Sequence, residues 1–248
     1  MRKSNIIFLL TLFISIFSFS FLLSGCASKN IKKKILPPQV YYKKALYEAK
    51  NKNYSEAVKN FKSLITNYPS YRNTRKAELK LGDIYYLAGK YIEAGGAYTD
   101  FLVLHPRSKE VPFAMFYIGM SHFKRILAVG RSQNQAKKAK AEFEKLISKY
   151  PSGKFSKKAM KLIKIINIHL SKNTFFTGLY YFNAGMWKQA AYMFKVVLTQ
   201  YKGLPIIPKD LYYIYICYNN LNNKIKANRY KSILLSNFSE SVYAKRIA

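Results

Sequence analysis

The residues with chemistry of their own are few in this 248-residue chain, and they stand far apart. There are two cysteines, Cys26 and Cys217, and three histidines, His105, His122 and His169. A metal site needs three or four donors brought together, usually from short recurring spacings, and these residues show none. Two cysteines so placed make no disulfide framework. The chain has no Walker loop, no G-x-G-x-x-G, no G-x-S-x-G elbow and no H-E-x-x-H pair. His105 precedes a proline, His122 takes a position where aromatic residues recur, and His169 is isolated. Cys217 lies among Tyr and Ile, which predicts a buried, inert thiol rather than a nucleophile. The sequence therefore reads as a non-enzyme with no catalytic residues, no metal and no diffusible cofactor.

Cys26 differs because of what precedes it. Arg2 and Lys3 are followed by an uncharged apolar run from Ile6 to Leu23, then Leu23-Ser24-Gly25-Cys26, and charge resumes at Lys29. A basic start, an apolar centre and small residues at the exit are the parts of a secretory leader. An uncleaved anchor needs about 20 apolar residues and has no use for Gly25-Cys26 at its exit. The ending resembles the lipobox of bacterial lipoproteins, which implies cleavage before Cys26 and a lipid on its thiol. Several acyl chains on one residue hold a protein on a membrane by hydrophobic transfer. Ala27 follows the cysteine. Among similar lipoproteins the absence of Asp there implies the periplasmic face of the outer membrane. The expected organisation is a leader over 1–25, a lipidated tether over 26–40, and a folded part over 41–248. The stretch Ala27–Val40 holds Lys32-Lys33-Lys34 and Pro37-Pro38, and fully extended it reaches at most ~50 Å.

That folded part repeats itself, and the repeat decides the fold class. A small residue stands four positions before an aromatic in Ala57/Phe61, Ala94/Tyr98, Ala139/Phe143 and Ala190/Phe194. Pro69, Pro106 and Pro151 each follow the aromatic by 8 residues, and Lys202 takes the proline's place in the fourth copy. Gly82, Tyr85, Gly89 and Tyr91 precede Ala94, and Gly178, Tyr181, Gly185 and Trp187 precede Ala190 at the same offsets. This is the tetratricopeptide pattern, one helical hairpin per repeat. The glycines at 82 and 178 predict close helix approach, those at 89 and 185 predict the turn, and the prolines predict the stops. Gly95-Gly96 inside a predicted helix has no such reason, unless another backbone lies against it.

Spacing locates the irregularities. From Ala57 to Ala94 is 37 residues, from Ala94 to Ala139 is 45, and from Ala139 to Ala190 is 51. The first excess falls around Lys124–Gln135, the second before repeat four. There Phe155, Ala159, Leu162, Ile163, Ile166 and Leu170 keep helical spacing, so the insertion is itself a helix. No Gly or Pro intervenes before Gly178, which leaves its continuation into Phe175–Ala184 open. The expectation is an all-α tetratricopeptide-repeat solenoid of about five hairpins (about 41–70, 75–107, 112–151, 171–202 and 208–239) with an inserted helix at 155–170. First helices of such hairpins line the inner surface. Tyr42, Leu46, Leu79, Tyr86, Phe116 and Phe123 are the candidate peptide groove, and Phe175, Phe182 and Tyr212 the candidate docking positions for a partner. So aromatic a face suits an extended or amphipathic segment carrying rings of its own.

The formal charge of +32 is large for this length. Lysines outnumber arginines 35 to 8 and run along the whole chain, whereas arginine is the residue that reads phosphates and bases bidentately. With the leader also placing the domain outside the cytoplasm, no nucleic-acid partner is expected. Attraction to anionic head groups or to an acidic protein domain is the sharper reading of the charge.

Leader, tether and about five hairpins together resemble the BamD family, lipoproteins of the β-barrel assembly machinery. The resemblance spans about Tyr41 to Arg246 and is carried most specifically by Tyr54-Ser55-Glu56-Ala57 to Tyr68-Pro69, the repeat-three insertion and the extra helix. Similar proteins carry an acidic-Arg-acidic stretch in that insertion. This chain has Gly130-Arg131-Ser132-Gln133, without either acid. The resemblance implies docking to a BamA-like barrel subunit through the C-terminal repeats, and contact of the N-terminal repeats with unfolded outer-membrane β-barrel proteins. Whether further assembly lipoproteins join is left open by the sequence. A scaffold lipoprotein of another envelope machine, such as a pilus or secretin pilotin or a cell-wall coordinator, shares leader and fold; the two insertions favour the first reading.

Overall fold

The computed structural model describes residues 35–248. The leader, Cys26 and the tether up to residue 34 lie outside the described residues. Eleven helices account for the described fold, and no strand occurs among these residues. In chain order they are α1 (Pro38–Lys50), α2 (Tyr54–Asn67), α3 (Thr74–Leu87), α4 (Tyr91–Leu104), α5 (Val111–Phe123) and α6 (Asn134–Lys149). There follow α7 (Lys154–Asn183), α8 (Trp187–Gln200), α9 (Ile207–Asn220), α10 (Lys224–Asn237) and the short α11 (Val242–Lys245). From α1 to α10 each helix packs on its neighbours in sequence, with α5 also touching α7 and α9 touching α11. Pro37–Ala248 is thus one unit built as a chain of neighbours, the tetratricopeptide-type arrangement that the repeats imply.

The turns inside the hairpins need a left-handed residue two positions before the second helix begins. Gly89 and Gly185 supply it with φ of 74° and 70°. At the matching places before α2 and α10 stand Lys52 and Asn222, with φ of 60° and 53°, a conformation in which a side chain is costly. Pro69, Pro106 and Pro151 follow the ends of α2, α4 and α6. After α8, where Lys202 takes the proline's place, Gly203 turns the chain with φ of 73°. Two links between hairpins are tied by hydroxyls: Thr74 Oγ1 donates to the Tyr68 carbonyl at 2.7 Å, and Ser156 Oγ to the Tyr150 carbonyl at 2.6 Å.

Within hairpins, one ring lies flat on a residue with little or no side chain. A Cβ on Gly82 would come within 2.7 Å of the Tyr98 ring, on Gly119 within 2.5 Å of Phe143, and on Gly178 within 2.5 Å of Phe194. Real Cβ atoms do not approach so closely, so these glycines set the interhelix distance. The partner alanines Ala57, Ala94, Ala139 and Ala190 are fully buried, as are the rings of Phe61, Tyr98, Phe143 and Phe194. Gly95 and Gly96 have no such duty. A Cβ on Gly95 would meet Ser121 at an ordinary 3.5 Å, and one on Gly96 would meet nothing. The two glycines have no structural explanation.

The inserted segment and the first helix of repeat four are a single helix. α7 runs through 30 residues without a break, about 45 Å at 1.5 Å per residue. Ala159, Ile166 and Leu170 pack with Phe143 and Leu146, while Phe175 packs with Phe194, Ile214 and Leu211. One rod therefore serves two core clusters.

Candidate functional site

The inner face is not uniformly open. Phe116 and Phe175 are core residues, 7% and 4% exposed. Phe116 lies 5.7 Å from the Phe143 ring and 5.4 Å from Phe155. Phe175 lies 5.1 Å from Phe194 and 5.4 Å from Tyr213, with Lys209 Nζ 4.5 Å over its face. These two rings offer no surface to a peptide or a partner, which corrects their place among the groove and docking candidates. The reason is the inserted length of α7, whose Phe155 closes over Phe116, and the α9 residues that close over Phe175.

The other positions keep part of their surface. Leu46 is exposed, and Tyr42, Leu79, Tyr86, Phe123, Phe182 and Tyr212 are half-buried. Tyr42 meets Phe61 edge-on at 5.9 Å. Phe182 is wedged between Trp187 and Tyr213 at 5.1 and 5.0 Å, and Tyr212 packs on Tyr213 and Tyr243. Phe182 and Tyr212 are thus tied into the last hairpin as well as facing outward.

Of the groove candidates, Tyr86 lines a formed cleft. It shares a space of about 340 Å³ with Lys80, Asp83, Leu87, Tyr98, Phe113 and Tyr117. Three helices build it: α3 gives Asp83 and Tyr86, α4 gives Tyr98, and α5 gives Phe113 and Tyr117 at i and i+4, the spacing that sets two rings on one helix face. Tyr86 meets Tyr91 and Tyr117 edge-on at 5.3 and 5.1 Å, and Phe113 and Tyr117 lie 4.6 Å apart. The floor is polar at one point. Tyr98 Oη donates to Asp83 Oδ1 at 2.8 Å, and Lys80 Nζ donates to Oδ2 at 2.8 Å. Burial and the Asp83 carboxylate push the Tyr98 hydroxyl far above its ordinary range, and burial lifts that of Tyr86 to about 12. The cleft can take an aromatic or aliphatic side chain, with one carboxylate edge for a donor. Phe113 and Tyr117 were not among the sequence candidates; their helical spacing facing Tyr86 was the available signal.

A second open surface surrounds Tyr192, which is 63% exposed on α8. On one side a cleft of about 390 Å³ is lined by Tyr181, Lys188, Gln189, Tyr192 and Met193. On the other, one of about 420 Å³ is bounded by Lys188, Lys195, Tyr218 and Lys226 among others. Neither has a carboxylate in its lining, so the surface is apolar and basic at once.

The core hides one unexpected ionisable group. Asp210, in the first turn of α9, is fully buried, and neither carboxylate oxygen has a hydrogen-bond partner. Burial raises its pKa to about 8, against a smaller opposing pull from Lys209. The equivalent places in α3 and α5 hold the buried alanines Ala77 and Ala114, and that contrast was the sequence signal. Cys217 is also fully buried, with its thiol pushed up to about 12 by burial. Such a thiol is inert. Among the described residues no group of three or more His, Cys, Asp or Glu converges on a common point, and no helix is long and apolar enough to cross a membrane.

Residues 35–234 match the family model YfiO, described as an outer membrane lipoprotein. The chain belongs to this family. It is 26% identical over 220 residues to the outer membrane protein assembly factor BamD of Rickettsia prowazekii, covering 88% of each protein. Its identity to BamD of Caulobacter vibrioides is 24% over 219 residues, 87% of this chain and 72% of that one. Among solved structures, MamA protein is 17% identical, with a TM-score of 0.36 over 80% of this chain and 90% of that one. In this member the Tyr86 cleft holds one lysine beside a carboxylate, whereas the Tyr192 surface holds rings and lysines together without one.

Proposed function

We propose that this chain is a lipid-anchored scaffold of outer-membrane β-barrel assembly, holding the barrel-forming subunit and unfolded barrel substrates side by side. The observation that carries the reading is the family match over residues 35–234, together with relatives named as outer membrane protein assembly factors over most of their length. Cys26, acylated, fixes the protein to the periplasmic face of the outer membrane. The Tyr86 cleft, with Tyr42 and Leu46 further along the inner face, receives side chains of an extended substrate segment. A barrel strand alternates aromatic and polar residues, so rings on one face meet the cleft while its backbone stays available for pairing. The barrel subunit, BamA-like in the sense of the relatives' machinery, docks on the C-terminal hairpins around Tyr192, where apolar area and unopposed lysines favour an acidic, partly apolar counter-surface. The protein performs no chemistry; its contribution is to raise the local concentration of two partners on one rigid array.

The test is gentle solubilisation of the source membranes, capture of this protein and identification of what accompanies it. Recovery of a large β-barrel protein with periplasmic repeat domains, in near-equal amount, is the expected result. A secretin, a pilus component or a cell-wall protein in its place would keep the fold and overturn the function.

A further inference from the structure

Carboxylates are distributed unevenly along the chain, although lysines are not. Nine of the 11 Asp and Glu residues lie at or before Glu144. Between Glu144 and Glu240 the only acid is Asp210, which is fully buried. A compositional drift toward lysine would raise lysine everywhere and would leave the acids scattered, so the one-sidedness calls for its own cause.

The inserted half of α7 is where this surface becomes most concentrated. Lys154, Lys157, Lys158, Lys161, Lys164 and Lys172 are all exposed, and α7 contains no acid. None of the six forms an ion pair among the described residues. At 100° per residue, Lys154, Lys157, Lys161, Lys164 and Lys172 fall on the side of the helix opposite the buried Ala159, Ile166 and Leu170, with Lys158 on its flank. Exposed apolar side chains stand among and beyond them: Met160 at 48%, Ile165 and Phe176 at 52%. Lysines interleaved with water-exposed aliphatic and aromatic groups along one ridge have the makeup of an interfacial helix.

We propose that the ridge of α7 rests on an anionic phospholipid surface, its lysines among the head groups and Met160 and Ile165 dipping between them. Three observations favour lipid over a protein partner. The ridge from Lys154 to Lys172 is a convex rod about 27 Å long, which meets a plane along its length, whereas a protein would have to supply a matching groove. Its cations are spread as a diffuse field, the pattern that a mobile layer of anions neutralises best. The apolar residues are isolated from one another by lysines, so they build no contiguous patch of the kind that a protein interface core needs. Anchorage at Cys26 keeps the chain within tether reach of a bilayer, and the ridge then fixes how the array lies on it. This inference does not depend on the assembly role.

The experiment uses the chain from residue 26 onward with Cys26→Ser, so that no acyl group carries it to lipid. Binding is measured by co-sedimentation with vesicles of phosphatidylcholine plus phosphatidylglycerol, and with phosphatidylcholine alone. Replacing Lys157, Lys158, Lys161 and Lys164 by Gln is expected to lower affinity for the anionic vesicles by about tenfold or more. The control replaces four exposed lysines of α1, α3 and the α3–α4 turn by Gln, namely Lys43, Lys44, Lys76 and Lys90. It removes the same charge and should change affinity several-fold less. Met160→Ser with Ile165→Ser should abolish the part of the binding that survives high salt. Unaltered thermal melts establish that each variant is folded. Equal losses in the two lysine sets would make the attraction a property of net charge and overturn the proposal. Indifference to phosphatidylglycerol would overturn it too, as would tight binding to polyglutamate with none to vesicles, which would point to an acidic protein instead.

Discussion

The backbone N–H of Gly130 donates to Asn173 Oδ1 at 2.8 Å, across 43 residues of sequence. The bond joins the two departures from a regular repeat: the loop between α5 and α6 and the long helix α7. Phe176, one turn further along α7, lies beside Gly130, whose φ is 86°. From inside, the loop is held by Gln133 Nε2, which donates to the carbonyls of Arg131 at 2.8 Å and Ala128 at 3.2 Å. Backbone bonds to the amide side chains of Asn173 and Gln133 thus fix the loop around Arg131.

Asn173→Ala should free this loop without unfolding the array. Hydrogen exchange at 126–132 is expected to rise while α5 and α6 keep their protection, for a stability change of ~0.5–1.5 kcal/mol. Asn173→Asp keeps the acceptor and should behave like the parent. Uniform loss of protection across both helices would show that the bond holds up more than the loop.

Gly119→Ala should cost ~1–3 kcal/mol, because the new methyl has to displace the Phe143 ring that packs at the closest helix approach. Gly96→Ala should do the reverse and stabilise by ~1 kcal/mol, since that glycine is exposed, mid-helix and free of neighbours. Paired thermal melts read both. A destabilised Gly96→Ala would mean that α4 needs its glycines for a reason outside the folded chain, such as a bound backbone.

Asp210 makes stability depend on pH in a defined sense. Its folded pKa, about 8, lies above the ~3.9 of an unfolded aspartate. Between those values the folded state therefore binds the extra proton, and stability falls as pH rises from about 4 toward 8. Asp210→Asn should flatten that slope. Asp210→Ala, the residue at the matching place in α3 and α5, should stabilise by roughly 1–3 kcal/mol at alkaline pH, since it removes an unpaired buried group. Chemical unfolding at several pH values measures this, and a slope unchanged in both variants would mean that the carboxylate finds a partner in solution.

The Tyr86 cleft can be separated from the core beside it. Tyr86→Ser with Tyr42→Ser should weaken binding of a strand peptide ending in an aromatic residue by roughly tenfold, with the fold intact. Phe116→Ser, by contrast, should lower stability first, because that ring is buried against Phe143 and Phe155. Peptide titrations followed by fluorescence anisotropy decide it, and an unaltered affinity in the double variant would remove the cleft from the substrate path.

Much of the fold is legible in the sequence because its determinants are local. An alanine four residues before a ring, a glycine nine residues before the tyrosine or tryptophan that opens the second helix and a proline after that helix are each a statement about one hairpin. The side of a ring that faces solvent is not local. Phe116 and Leu79 hold matching places on the first helices of their hairpins, yet the inserted residues of α7 close over one and leave the other half-buried. Asp210 was equally hidden: an aspartate in a first helical turn ordinarily signals a favourable helix end, and only the packing around it shows that it is dry. The turn residues Lys52 and Asn222 illustrate the same limit, since glycine marks the turn in two hairpins and an unmarked residue adopts the same φ in two others.

The unbroken length of α7 has a mechanical consequence. Hairpin arrays flex at the links between units, and here the link before the fourth hairpin has been replaced by continuous helix. Bending has to concentrate elsewhere, at the short connections after α2 and α4. Pulled from its two ends, the molecule should yield its first hairpins one after another and then give way in a single larger step as the segment spliced by α7 parts. The helix acts as a splint: whatever grips the C-terminal hairpins also sets the attitude of the third.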